Sequence, residues 1–319
     1  MVFMRLVFAG TPEVALPSLE ALVASDHEVV GVITRADARA GRGRTLVPSP
    51  VRARADELGV DVLTATPRDP EFAQWFEQRD VDCVAVVAYG HILPASVLQI
   101  PRHGWINLHF SLLPAWRGAA PVQRSIIAGD QITGASTFRI EQGLDSGPVY
   151  GMTTETIKPR DTSGDVLVRL GQSGAKLLVG TMDAIADGSI RPIPQEAEGV
   201  SVAPKLTPQD AHIPWTLPAH IIDRLIRGCT PQPGAWTQLD GQESRLGIGP
   251  STVEKDSELS LAPGEIHATK RDVFVGTAAG VLRLGDVTPS GKKSMPAADW
   301  ARGARLESGA RFVSQQEGK

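Results

Sequence analysis

Asn107 and His109 stand two residues apart in Ile106-Asn107-Leu108-His109-Phe110, a stretch whose apolar neighbours read as a strand. Side chains alternate faces along a strand, so Asn107 and His109 share one face, about 7 Å apart, while Leu108 and Phe110 point into packing. An amide donor beside a titratable imidazole suits a reaction that builds negative charge on a carbonyl oxygen. The amide can donate to the oxyanion, and the imidazole can donate a second bond or move a proton. Neither residue is a strong nucleophile in this setting. The strand should end in a fixed, partly apolar loop, Ser111-Leu112-Leu113-Pro114, because Pro114 lacks an N–H and holds Leu113 extended. Gly118 and Ala119-Ala120-Pro121 then read as the entry to a helix running to Ala128. An Asn and a His on one strand face are more often structural than catalytic, so a third group is needed. Asp145 is the candidate, in the loop Gln142-Gly143-Leu144-Asp145-Ser146-Gly147, whose glycines favour an acid set in place. A turn aspartate bonded to its own backbone is the competing reading.

These residues need a scaffold, and the chain supplies one before them. Phe3 to Ala9 reads as a buried strand, with Thr11-Pro12 as the cap and first residue of a helix to about Ala24. Strands follow at Glu28 to Thr34, Val60 to Leu63 and Asp82 to Ala88, separated by helices near Ser49 to Leu58 and Pro70 to Gln78. This alternation implies an α/β, doubly wound, mainly parallel sheet of the Rossmann-like kind. A dinucleotide site is disfavoured, because Gly10 stands alone where the fingerprint needs three glycines. The turn Ala88-Tyr89-Gly90-His91-Ile92-Leu93-Pro94 follows a strand's carboxyl end, where such sheets bind ligands, although a plain strand-to-helix connection would look the same.

After the Asp145 loop, Pro148 to Thr156 reads as an edge strand, and Asp161-Thr162-Ser163 caps a long helix reaching Ala186. Residues 190–208, rich in proline and glycine, read as a connector between a first domain over 1–189 and a second over 209–319. The second begins with an amphipathic helix, Leu217 to Cys229, with Ile221, Ile222, Leu225 and Ile226 inward. Short alternating segments beyond Trp236 suggest a small OB-like β-barrel.

With 319 residues, 42% hydrophobic and 21% charged, the composition is that of an ordinary soluble protein with ample core. Cys83 and Cys229 are too few for a disulfide framework or a Cys-rich zinc site, and no metal motif appears. No segment approaches membrane-spanning length, so a cytoplasmic protein is expected; a monomer is expected as well. The net charge of −4 does not exclude nucleic acid, since clustered cations matter more than their sum. Arg35, Arg39, Arg42 and Arg44 crowd the glycine-containing loop Arg35 to Pro50, which can order on phosphates or remain a solvated surface. Lys205 in the connector and Lys292-Lys293 at a late turn carry the same two readings.

Asn107, His109 and Asp145, with Ser111-Leu112-Leu113-Pro114 between them, resemble in order and context the Asn/His/Asp constellation of the folate-dependent formyltransferase superfamily. That resemblance implies transfer of a formyl group from 10-formyltetrahydrofolate, a co-substrate, to an amine without a metal. It implies that Asn107 binds the oxyanion, that His109, protonated or through water, donates or relays a proton, and that Asp145 orients His109. It also implies that Ser111, Leu112, Leu113 and Pro114 line a pterin pocket with Ala88, Tyr89, Gly90 and Ile92. The segment AGRGRTLVPSPV, from Ala40, resembles the insertion loop of the superfamily's tRNA-acting branch, and Gly291-Lys292-Lys293 matches that branch's tail. The implied acceptor is then the free amine of methionine on initiator methionyl-tRNA, with Arg35, Arg39, Arg42, Arg44, Lys205, Lys292 and Lys293 as tRNA contacts. Two alternatives are a formyltransferase for a small amine such as an amino sugar nucleotide, and a noncatalytic RNA-binding protein. One departure is Phe110, at a position commonly small in the family, which puts the folate loop's position in doubt.

Overall fold

The computed structural model describes residues 3–40, 45–254, 257–307 and 309–313. They group into two compact units. The first takes the chain to Pro121, then Ile132–Thr156 and Leu167–Ala203; the second takes Val122–Gln131, Ile157–Val166 and the chain from Pro204. The stretch 190–208, expected as a connector, is thus part of the first unit as far as Ala203.

In the first unit the strands are β1 (Arg5–Gly10), β2 (Glu28–Ile33), β3 (Ala38–Ala40), β4 (Thr45–Val47), β5 (Val62–Leu63), β6 (Cys83–Val87), β7 (Trp105–His109), β8 (Ile132–Arg139) and β9 (Val149–Thr156). Seven of them form one sheet in the order β5-β2-β1-β6-β7-β8-β9. The first five run parallel, β8 pairs antiparallel with β7, and β9 antiparallel with β8 at the edge. After Arg5, β1 is apolar, and β6 is apolar throughout, because helices cover both of their faces, which leaves no polar side to alternate with.

The helices of the first half are α1 (Leu16–Val23), α2 (Pro50–Leu58), α3 (Pro70–Glu77) and α4 (Ala95–Leu98). α3 buries Phe72, Trp75 and Phe76, spaced for one helix face, in a cluster with Val7, Ala9, Val84, Val86 and Trp105. Each such aromatic is worth about 1.5–3 kcal/mol of burial. The opposite face is covered by α6 (Ser163–Ala186), which follows α5 (Pro121–Ala128). A Cβ on Gly174 of α6 would stand 2.9 Å from Leu108 Cδ2, so the glycine lets this helix settle on β7 without displacing the Leu108 side chain. Leu108 therefore points to α6. Asn107 and His109, one residue to either side, point to the face of Trp105 and α3.

Two expectations need correction. Thr11 does not cap a helix: Glu13–Ala15 forms a 3-10 turn behind Pro12, and the Thr11 hydroxyl donates instead to the Tyr89 carbonyl at 2.8 Å. This bond joins the turns after β1 and β6, the two strands between which the chain switches sides of the sheet. The Arg35 to Pro50 segment is not a featureless loop either. Its arms pair as the β3–β4 hairpin, Ala38 opposite Val47 and Arg39 opposite Leu46, with Asp37 tied to Arg52 of α2 at 2.8 Å.

The second unit contains α7 (Ala219–Gly228), which buries Ile222 and Ile226 fully and leaves Ile221 and Leu225 half-buried. Its strands are β10 (Trp236–Gln238), β11 (Arg245–Ile248), β12 (Thr252–Glu254), β13 (Ile266–Ala268), β14 (Val273–Gly276), β15 (Val281–Arg283), β16 (Asp286–Pro289) and β17 (Met295–Pro296), followed by α8 (Ala297–Ala304). Among the described residues these strands form two antiparallel four-stranded sheets, β10-β11-β16-β17 and β12-β15-β14-β13, rather than the closed barrel expected. Bridges from Phe312 to Leu239 and from Arg311 to Glu265 link the two sheets. Phe312 stacks between Trp215 and Trp300. Among the described residues no helix is long and apolar enough to cross a membrane.

Candidate active site

β7 sits between a parallel neighbour and an antiparallel one, with Asn107 opposite Val86 and Phe138, and His109 opposite Ser136. A strand so enclosed fixes its side chains without recourse to a loop. Asn107 is half-buried, and His109 is only 6% exposed.

The His109 ring is oriented by its Nε2, 2.9 Å from the Trp116 carbonyl. A carbonyl can only accept, so Nε2 carries the hydrogen and the neutral ring keeps its lone pair on Nδ1. Nδ1 faces Asp145 Oδ2 at 3.7 Å, beyond hydrogen-bond range but close enough for strong charge interaction. Burial pushes the His109 pKa below the ordinary 6.5, while the Asp145 charge and the Trp116 carbonyl pull it up. The resting imidazole is neutral at neutral pH, so Nδ1 is a proton acceptor next to a carboxylate that can stabilise the imidazolium. The ring's orientation comes from Trp116, and Asp145 acts on it through charge.

Asp145 is itself held. Its Oδ2 accepts the Gly118 N–H at 2.8 Å, and its backbone lies at φ 45, in the left-handed region. Gly147 belongs to the same loop, and a Cβ there would collide with the Arg139 carbonyl.

The Ser111 to Pro114 loop divides into two kinds of residue. Ser111 and Leu113 are buried and shape it: the Ser111 hydroxyl donates to the Ala115 carbonyl at 2.6 Å, and Ser136 Oγ bridges the Ser111 carbonyl and the Leu113 N–H. Leu112 and Pro114 are half-exposed and available to a ligand. Phe110 is buried, in the layer beneath the site. In the turn after β6, Ala88 and Gly90 have positive φ and exposed backbones, and Ile92 is 89% exposed. Tyr89 is buried, and burial pushes its phenol pKa up. Ala88, Gly90 and Ile92 thus present backbone and one apolar side chain at the carboxyl end of the parallel strands, whereas Tyr89 supports them from below.

Among the candidate tRNA contacts, Arg35 lies over this turn, its Cδ 3.5 Å from where a Gly90 Cβ would be, and its charge helps to lower the pKa of His91 after burial. Arg39 is exposed on β3, and Arg42 and Arg44 lie outside the described residues. Lys205, Lys292 and Lys293 are exposed. Lys292 lines a cavity of about 360 Å³ with Arg245 and Trp300. Among the described residues no group of three or more His, Cys, Asp or Glu side chains could hold a metal ion.

Sequence reasoning missed Trp116, Arg117, Gln195 and Ser201. Trp116 donates its N–H to Ser201 Oγ at 2.8 Å, and Arg117 pairs with Gln195 at 2.7 Å. The proline- and glycine-rich composition of 190–208 hid the last two. No local signal marks them.

Residues 4–182 match the family Formyl transferase, and residues 205–305 match Formyl transferase, C-terminal domain. The chain is 61% identical to a methionyl-tRNA formyltransferase of Thermobifida fusca, over 97% of this chain and 99% of that protein. A methionyl-tRNA formyltransferase of Streptomyces coelicolor is 58% identical over 97% of this chain and 99% of its own length. Among solved structures, HypX from Aquifex aeolicus in complex with tetrahydrofolic acid has the same fold, with a TM-score of 0.65 and 17% identity. That similarity covers 93% of this chain and 47% of HypX.

Proposed function

The chain belongs to the methionyl-tRNA formyltransferase family, and from that premise we propose that it transfers the formyl group of 10-formyltetrahydrofolate to the free amine of methionine carried on initiator tRNA. The observation that carries this reading is identity of 61% sustained over nearly the whole length of a relative of that name. The geometry supports it independently, since an amide, a neutral imidazole and a carboxylate converge at the carboxyl end of β7.

In this mechanism the Asn107 amide donates to the formyl oxygen as it gains negative charge. The methionine amine forms the new C–N bond, and the bond from the formyl carbon to N10 of the folate breaks. His109 Nδ1 takes the proton that the amine loses and returns it to N10, so the ring ends neutral as it began. Asp145 stabilises the imidazolium between those two events. The turn Ala88 to Ile92 and the exposed edge at Leu112 and Pro114 hold the pterin. HypX, which shares this fold, was solved in complex with tetrahydrofolic acid, which supports a folate as the donor. Arg35, Arg39, Arg42 and Arg44, with Lys205, Lys292 and Lys293, contact tRNA phosphates.

The test is formyl transfer from 10-formyltetrahydrofolate to methionine charged on initiator tRNA, alongside charged elongator methionine tRNA and free methionine. Transfer to the initiator alone is expected. Hydrolysis of the donor with no transfer to any of the three would move the acceptor to a small amine.

A further inference from the structure

We infer that Gln195 is a positioning residue for formyl transfer, clamping the loop that carries Asp145 to the loop that orients His109. The inference rests on the site reading above. The Gln195 carboxamide is half-buried and uses every hydrogen-bonding position it has. Its Nε2 donates to the carbonyls of Asp145 at 2.7 Å and Gly147 at 2.8 Å. Its Oε1 accepts from Arg117 Nε at 3.1 Å and Nη2 at 2.7 Å. Two carbonyls can only accept and a guanidinium can only donate, so the amide has one orientation.

Arg117 lies between the two residues that touch the chemistry. Trp116 before it takes the Nε2 hydrogen of His109, and Gly118 after it donates to the Asp145 carboxylate. Gln195 therefore closes a ring running from the Asp145 backbone through Arg117 and Gly118 to the Asp145 side chain. The ring has something to hold. A non-glycine residue at φ 45 costs about 1 kcal/mol or more, and Asp145 keeps that conformation only if its surroundings impose it. The stretch beyond Gln195 continues along the same loop: the Arg117 N–H donates to the Ser201 carbonyl at 2.9 Å, and the Ala203 N–H to the Arg117 carbonyl at 2.7 Å. Residues 195–203 thus form a strap across 116–120.

The quantity at stake is the 3.7 Å between Asp145 Oδ2 and His109 Nδ1. Among the described residues Asp145 is the charged group facing that ring, whose other neighbours are the Trp116 carbonyl and the Phe138 ring. Misplacement by about 1 Å can cost up to 10²-fold in rate.

Full-length Gln195→Met keeps the approximate size and adds no charge but removes the two donors that hold the Asp145 loop. It should lower kcat about tenfold or more, leave the folate KM within about twofold, and move the acid limb of the kcat profile to lower pH. That direction follows because a displaced Asp145 raises the His109 pKa less. A merely structural role would lower stability without moving the limb. Arg117→Lys, which loses the two-pronged grip on Oε1, should act in the same direction and decides the matter if Gln195→Met does not fold. Wild-type kcat and limb in the folded variant overturn the inference. Asp145→Asn is run in parallel. If it loses turnover while the Gln195 and Arg117 variants behave as wild type, positioning alone fails; if it keeps full turnover, the site reading beneath fails too.

Discussion

Asn107 is held by an interior strand and points to the face where His109 and Asp145 meet, so its loss should be felt in the chemistry rather than in folding. Asn107→Ala is expected to lower turnover about 10²- to 10³-fold, the usual cost of an oxyanion donor, in a single-turnover assay with saturating tRNA. Near-full turnover would remove it from the mechanism. For His109 the sign follows from burial, which holds the imidazole below 6.5. A proton acceptor works when neutral, so the rate is full above its pKa and falls as the pH drops through it. The acid limb of kcat should lie below pH 6.5, and in Asp145→Asn, where the upward pull is gone, lower still. A wild-type limb above 6.5 in the pH profile would contradict a buried base. That Asn107 and His109 share a strand face was legible in sequence because alternation acts locally, whereas Asp145 was joined to them by its flanking glycines and by the family resemblance. Gln195 was not, because its partners lie 50 and 78 residues away and nothing near it in the chain announces them.

At the scale of elements, the helix that covers β7 begins with a reciprocal cap. Thr162 Oγ1 accepts the Asp165 N–H at 3.2 Å, and the Asp165 carboxylate takes the Thr162 N–H at 2.9 Å. Thr162→Ala should therefore lower stability by about 1 kcal/mol in denaturant unfolding, with little effect on kcat. Gly118 is a stricter position. At φ 125, a Cβ there would stand 2.7 Å from the Ala203 carbonyl, so Gly118→Ala should displace the strap and cost about 1–3 kcal/mol. Because the Gly118 N–H also holds Asp145, turnover should fall with it; unchanged unfolding and kcat would show that the strap yields freely. The core strands were readable to within a residue or two, since β6 and β1 beyond Arg5 are unbroken apolar runs. The β3–β4 hairpin was not, because Arg39, Leu46 and Val47 are all exposed and no buried face imprints a period on the sequence. β12 and β17 escaped for a different reason: three and two residues are too few to show alternation.

For the molecule as a whole, the acidic total of −4 conceals basic residues gathered in the segment Arg35 to Pro50 and at the Lys292 turn. If these grip phosphates, binding of charged tRNA should weaken steeply with salt, and Arg42→Ala should reduce the slope of log affinity against log salt by about one while sparing hydrolysis of the folate donor. An unchanged slope would leave that arginine out of the interface. The proline- and glycine-rich stretch 190–208 read as a boundary, and the interleaving of the two units was not legible, because which segments cluster is decided by packing that no local window contains. The most direct test of the site is single-turnover formyl transfer to methionine on initiator tRNA by the wild-type chain, Asn107→Ala and His109→Ala, each at saturating folate donor. Rapid transfer by the wild type, with losses of about 10² or more in both folded variants, is the expected result. Transfer at the wild-type rate by either variant would contradict the assignment of oxyanion donor and base on β7.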